Sequence, residues 1–144
     1  MHVLICDDDA AFGARMADYI HDYFEARSVQ LQTVVCTGAA EALRTPYLEL
    51  YQLAFLDVDM PGTNGIALGR ELKQRSPDIR LVYVSAYLEF APEGYTVNAY
   101  RYLLKRDIAR MLPKCLDDLL AAFTDQHRTL TVHHNRATSE IPLY

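Results

Sequence analysis

Apolar residues in this chain fall into two alternating patterns, short continuous runs and stripes at helical spacing. "HVLIC" (2–6), "LAFLD" (53–57) and "RLVYVSA" (80–86) are near-continuous apolar runs of strand length. "VQLQTVVC" (29–36) alternates and then turns wholly apolar, as a strand does, and "AYRYLL" (99–104) supplies a fifth. Between the runs, residues 10–26 carry Phe12, Met16, Tyr19, Ile20 and Tyr23 as one apolar stripe on a polar helix. Residues 38–45 read as a short helix closed by Pro46. Residues 65–75 form a helix that stops before Ser76 and Pro77. The closing helix spans 108–123, with Pro113 predicting a kink or a later start. "YLEFAPEGYTVN" contains Pro92 and Gly94, so any helix there is short or irregular.

Five strands alternating with helices predict an α/β domain with a mainly parallel sheet. Near-continuous apolar strands need cover on both faces, so helices are expected on each. In such sheets ligands bind beyond the carboxyl ends of the strands. The residues that stop the strands are Asp7 and Asp8 after the first, Asp57 after the third, Ser85 after the fourth and Lys105 after the fifth. All should share one edge. Asp9 is expected to cap the helix that follows it.

The stretch "FLDVDMPGTNG" sharpens this picture, because Asp57 and Asp59 stand where a buried strand gives way to a Pro-Gly and Asn-Gly turn. Three carboxylates at one edge repel, which raises their pKa values unless a cation joins them. Mg²⁺ suits such a site, taking oxygen ligands only and few of them from protein. Lys105 adds a point charge for a carboxylate or phosphate, and Ser85 a hydroxyl. The set fits a phosphoryl group carried on an aspartate, since phosphoryl transfer asks the protein mainly to position groups and stabilise charge.

Composition narrows the alternatives. A length of 144 residues matches one domain, and 51% hydrophobic residues exclude global disorder. A net charge of −5 argues against nucleic-acid binding by the chain as a whole. Cys6, Cys36 and Cys115 are an odd set with apolar neighbours, expected to be buried reduced thiols. "VLIC" runs straight into three aspartates, unlike a signal peptide, and no segment has transmembrane length. A cytoplasmic protein without membrane contact is therefore expected. The tail "RTLTVHHNRATSEIPLY" alternates at Leu130 and Val132 and again at Ile141 and Leu143, which predicts a β-hairpin with no core of its own.

Taken together, "ICDDD", "LDVDMPGTNG", "VSA" and "YLLK" resemble the receiver domains of two-component response regulators, over about residues 2–123. The resemblance implies a flavodoxin-like, doubly wound five-stranded parallel sheet of order 2-1-3-4-5, with the receiver spanning residues 1–124. It implies that Asp57 is the phosphoacceptor and that Asp7, Asp8, Asp57 and the backbone carbonyl of Asp59 bind Mg²⁺. Ser85 would follow the phosphoryl group, Lys105 would pair with it, and Tyr102 would be the aromatic switch. Arg106 follows Lys105 where the family usually has proline, so a trans bond is expected there.

"SAYLEFAPEGYTVNAYRYLLK" resembles, more narrowly, receivers that precede LytTR-type DNA-binding domains. Residues 125–144 look like a linker and the opening hairpin of one. The implied partners are a sensor histidine kinase and a second copy through residues 87–110, where Tyr87, Tyr95 and Tyr100 suit an interface. DNA would be reached only through an output domain outside this chain. The implied role is a phosphoacceptor that catalyses only its own phosphorylation and dephosphorylation. Two other readings are a haloacid-dehalogenase-like phosphatase using Asp57 and Asp59, and a phosphorylation-independent interaction module of the same fold. Pro61 and the acidic pair Asp7-Asp8 fit the phosphatase pattern poorly.

Overall fold

The computed structural model of the chain describes residues 1–60, 62–87 and 98–134, with side chains up to residue 124 except that of residue 63. The "YLEFAPEGYTVN" segment falls largely outside the described residues, and so does Tyr95.

Five strands form one sheet: β1 (His2–Cys6), β2 (Gln32–Cys36), β3 (Leu53–Asp57), β4 (Arg80–Ser85) and β5 (Arg101–Leu104). Every neighbouring pair is parallel and the order is β2-β1-β3-β4-β5, the expected doubly wound arrangement. The central strand β3 is buried at every position, which is why its sequence reads as a solid apolar run ending in an acid. The strand β2 lies at the edge and is only partly buried. Its alternating start, residues 29–31, is not strand: backbone pairing begins at Gln32, opposite His2.

Helix α1 (Ala10–Glu25) buries Met16, Ala17, Ile20, Tyr23 and Phe24. Phe12 and Met16 of this helix share a small cavity with Ile5, Phe55 and Val84 of one sheet face. On the other face Leu4, Leu56, Leu81 and Tyr83 pack in one cluster with Ala42 of α2 (Ala39–Leu43) and with Ile66, Leu68 and Leu72 of α3 (Gly65–Arg75). Burying a large aliphatic side chain contributes about 1.5–3 kcal/mol, so the two layers supply the main drive for folding. Cys6, Cys36 and Cys115 are buried thiols outside any disulfide, as expected. Burial pushes the Cys6 thiol up to about 12, which keeps it protonated and unreactive at neutral pH.

Between β3 and α3 the chain makes a small antiparallel ladder, Asp59–Met60 against Thr63–Asn64. Gly62 turns it with a φ of 82°, a left-handed conformation that favours glycine. Asn64 then caps α3 by accepting from the Ala67 N–H.

The C-terminal helix α4 (Ile108–His134) departs from expectation at its far end. The pattern predicted a helix ending at 123 and a strand holding Leu130 and Val132. Instead the helix runs through both. A nucleated helix extends more readily than an isolated hairpin forms, which carries it through Thr129, Thr131 and Val132 despite their weak helix propensity. The rest of the predicted hairpin lies outside the described residues. Pro113 sits inside α4 without ending it. Its buried residues Leu112, Cys115, Leu116, Leu119 and Phe123 recur at helical spacing. Among the described residues, no helix is long and apolar enough to cross a membrane.

Candidate functional site

In-register parallel pairing assembles the site. Cys6 of β1 lies opposite Leu56 of β3, so the residues that follow, Asp7 and Asp57, emerge side by side. Asp57 lies opposite Val84, which puts Ser85 one step beyond it on the next strand. Ser85 lies opposite Leu104, and Lys105 follows Leu104. Strand ends separated by up to a hundred residues in sequence therefore share one edge.

One carboxylate oxygen from each of Asp7, Asp8 and Asp57 lies within 4.8 Å of the other two. Asp7 and Asp57 are buried, whereas Asp8 is exposed. The Lys105 Nζ is 3.0 Å from Asp7 Oδ2 and 3.7 Å from Asp57 Oδ2. Two main-chain N–H groups also serve the acids. That of Asp9 donates to Asp7 Oδ1 at 2.8 Å, and that of Asp59 donates to Asp57 Oδ1 at 3.4 Å. Asp9 caps α1 by accepting from the Phe12 N–H at 3.1 Å, as expected. The peptide between Lys105 and Arg106 is trans, also as expected, and a 3-10 turn over Lys105–Asp107 still delivers the lysine to the acids.

Burial and the neighbouring charges explain the titration. Burial raises the Asp57 carboxyl from 3.8 to about 7, the Asp7 charge adds to the rise, and Lys105 opposes it. Burial alone would pull the Lys105 ammonium down. Its hydrogen bond to Asp7 and the charges of Asp57, Asp7 and Asp8 outweigh this, so its pKa lies above the ordinary value. A single lysine thus leaves the acids under-compensated.

Ser85 is wholly buried, and its Oγ accepts from the Tyr87 N–H at 3.0 Å. A serine hydroxyl can donate as well as accept. The Tyr102 hydroxyl donates to the Tyr87 carbonyl at 2.7 Å. Tyr87 therefore links the two residues expected to act together. The Asp59 side chain points to solvent while its backbone reaches Asp57.

One neighbour was not legible as part of the site. The Phe12 ring, assigned from periodicity to the apolar stripe of α1, has its centroid 4.5 Å from the Lys105 Nζ. Its position five residues after Asp7, in the first turn of a capped helix, was the available signal.

The family model described as response regulator receiver domain matches residues 3–116. A curated protein of Shewanella oneidensis, called an uncharacterized response regulatory protein, is 32% identical over 143 residues. That alignment covers 98% of this chain and 57% of the relative. The sensory transduction protein LytT of Enterococcus faecalis is 29% identical over 105 residues, covering 73% of this chain and 42% of LytT. The chain thus spans about half the length of these relatives. Among solved structures, the response regulator TrrA of Thermotoga maritima, described as a complex with Mg²⁺ and BeF, superposes with a TM-score of 0.61. It is 20% identical and covers 82% of this chain and 97% of its own.

Proposed function

The chain belongs to the response regulator receiver family, and on that premise we propose that it accepts a phosphoryl group on Asp57 from a sensor histidine kinase and relays the change to an output domain. The observation that carries this reading is the grouping of Asp7, Asp8 and Asp57 within 4.8 Å, with Lys105 reaching two of them. An oxygen-only donor set with excess negative charge fits a hard divalent cation, and Mg²⁺ above all. Asp7, Asp8, Asp57 and the Asp59 carbonyl would hold it. Bound there, Mg²⁺ supplies charge neutralisation for a transferring phosphoryl group.

In this reading an Asp57 carboxylate oxygen attacks phosphorus, forming the acyl phosphate as the bond from phosphorus to the donor's leaving group breaks. Lys105 pairs with a phosphoryl oxygen, and Ser85 donates its hydroxyl to another. A phosphoryl group adds close to two negative charges and three acceptors at this edge. Drawing Ser85 toward it perturbs the Tyr87 link, which releases Tyr102 to turn inward. The surface over residues 87–110 then favours pairing with a second copy. The chain catalyses only its own phosphorylation and dephosphorylation, and acts in the cytoplasm. Residues 125–144 would begin the connection to a LytTR-type DNA-binding domain, which would carry the DNA contacts and the transcriptional output.

Incubation with acetyl phosphate and Mg²⁺, followed by intact-mass measurement, tests the core of this reading. Wild type should gain one phosphoryl group and Asp57→Ala none. A folded wild type that gains nothing would instead favour a phosphorylation-independent interaction module.

A further inference from the structure

We infer that Phe12 is a positioning residue for Lys105, its ring holding the lysine ammonium over Asp7 and Asp57; the inference rests on the reading of Asp57 as phosphoacceptor.

Lys105 stands on a flexible four-carbon stem and remains 24% exposed at its side chain. A point charge with three rotatable donors has no built-in orientation. Its contact with Asp7 is the shorter of its two ion pairs, 3.0 against 3.7 Å, so the carboxylates alone draw it toward Asp7. The Phe12 face supplies a third attraction, with Nζ 4.5 Å from the ring centroid. This contact carries no formal charge and donates no proton. It leaves the ammonium free to shift toward a new anion on Asp57 while keeping it off the solvent side. A carboxylate in the same place would trap the lysine.

The local chain explains why the ring stands there. The Asp9 N–H is fixed on Asp7, and the Asp9 carboxylate accepts from the Phe12 N–H. One short acidic turn therefore sets both the Asp7 oxygens and the start of the helix that carries Phe12. The ring also lines the small cavity that Asp7 and Asp57 share with Met16 and Val84. The Arg15 guanidinium lies 5.9 Å from the same ring, at the outer limit of such an attraction. The closer cation is Lys105.

The test compares Phe12→Leu and Phe12→Met, which keep apolar bulk but lose the ring face, with Phe12→Tyr, which keeps the face. The first readout is the NMR shift of the Lys105 ε-methylene protons, which a ring 4.5 Å away moves upfield. The upfield shift should be present in wild type and Phe12→Tyr and absent in both aliphatic variants. The second is the rate of Asp57 phosphorylation by acetyl phosphate with Mg²⁺. It should fall about two- to fivefold in the aliphatic variants, the scale of a partly exposed cation–π contact, and return in Phe12→Tyr. A merely structural role would lower melting temperature while the folded aliphatic variants still phosphorylate at the wild-type rate. An unshifted lysine resonance in wild type overturns the inference. So do aliphatic variants that phosphorylate at the wild-type rate. A wild type that shows the upfield shift yet takes no phosphoryl group sinks the phosphoacceptor reading instead, and with it the catalytic purpose of the contact.

Discussion

At the scale of single residues, the raised carboxyl of Asp57 makes two measurable demands. In the metal-free fold Asp57 titrates near 7, whereas its ordinary value is 3.8. Between those values the folded chain holds a proton that the unfolded chain releases. Stability therefore falls as pH rises through that window, opposite to the usual behaviour of a paired carboxylate. Asp57→Asn removes the cost, so metal-free Asp57→Asn should be more stable than wild type at pH 8 by about 1–3 kcal/mol and nearly equal at pH 4. Urea unfolding at the two pH values checks this, and parallel pH profiles would refute it. Protons and metal also compete for the same oxygens. Mg²⁺ affinity should thus weaken as pH drops through about 7, which titration calorimetry at pH 8 and pH 6 would read directly.

Among the elements, the junction of β3 and α3 leaves no room for a side chain beside the backbone of Asp57. The Gly65 N–H donates to the Val58 carbonyl at 2.9 Å, and a Cβ on Gly65 would collide with the Asp57 carbonyl oxygen. The helix thus starts hard against the backbone of the proposed phosphoacceptor. Gly65→Ala should cost on the order of 2–3 kcal/mol and slow phosphorylation, because the clash can be relieved only by shifting backbone. Gly38, at the start of α2, has open space around its Cβ position and an extended backbone. Gly38→Ala should stay within about 1 kcal/mol of wild type, the lost N-cap preference being offset by the lower entropy of the unfolded chain. Thermal unfolding of the pair separates crowding from a general intolerance of glycine replacement. If both variants behave alike, the junction is not special.

For the whole molecule, the proposed change at Asp57 has to become a change of partner. Wild type treated with acetyl phosphate and Mg²⁺ should shift toward twice its monomer mass in light scattering after size exclusion. Asp57→Ala should stay at its starting mass. An unchanged wild type carrying a measured phosphoryl group would place the output elsewhere than in self-association. A chain of net charge −5 should also leave random duplex DNA unshifted in a gel at physiological salt.

Much of this was legible in the linear pattern, for a local reason. Strands covered on both faces must be apolar along their length, so β1, β3 and α3 have the bounds that periodicity predicted, and the acids, serine and lysine that end the strands stood out against them. Parallel pairing at matched register then carries those residues to one edge without further instruction. Edges and ends were less legible. The strand β2 starts three residues late because an edge strand does not need every alternating residue, and α4 overruns a two-residue alternation that had nothing to pair with. Side-chain meetings were less legible: Lys105 was expected to pair with a carboxylate or a phosphate, but its choice of Asp7, the Phe12 ring beside it and the Tyr102 hydroxyl on the Tyr87 carbonyl were not read. Periodicity reports which face a residue takes, a property of the backbone and of burial. Which rotamer it adopts, and whom it touches, depends on neighbours many residues away in the chain, and those come together only when the sheet has formed.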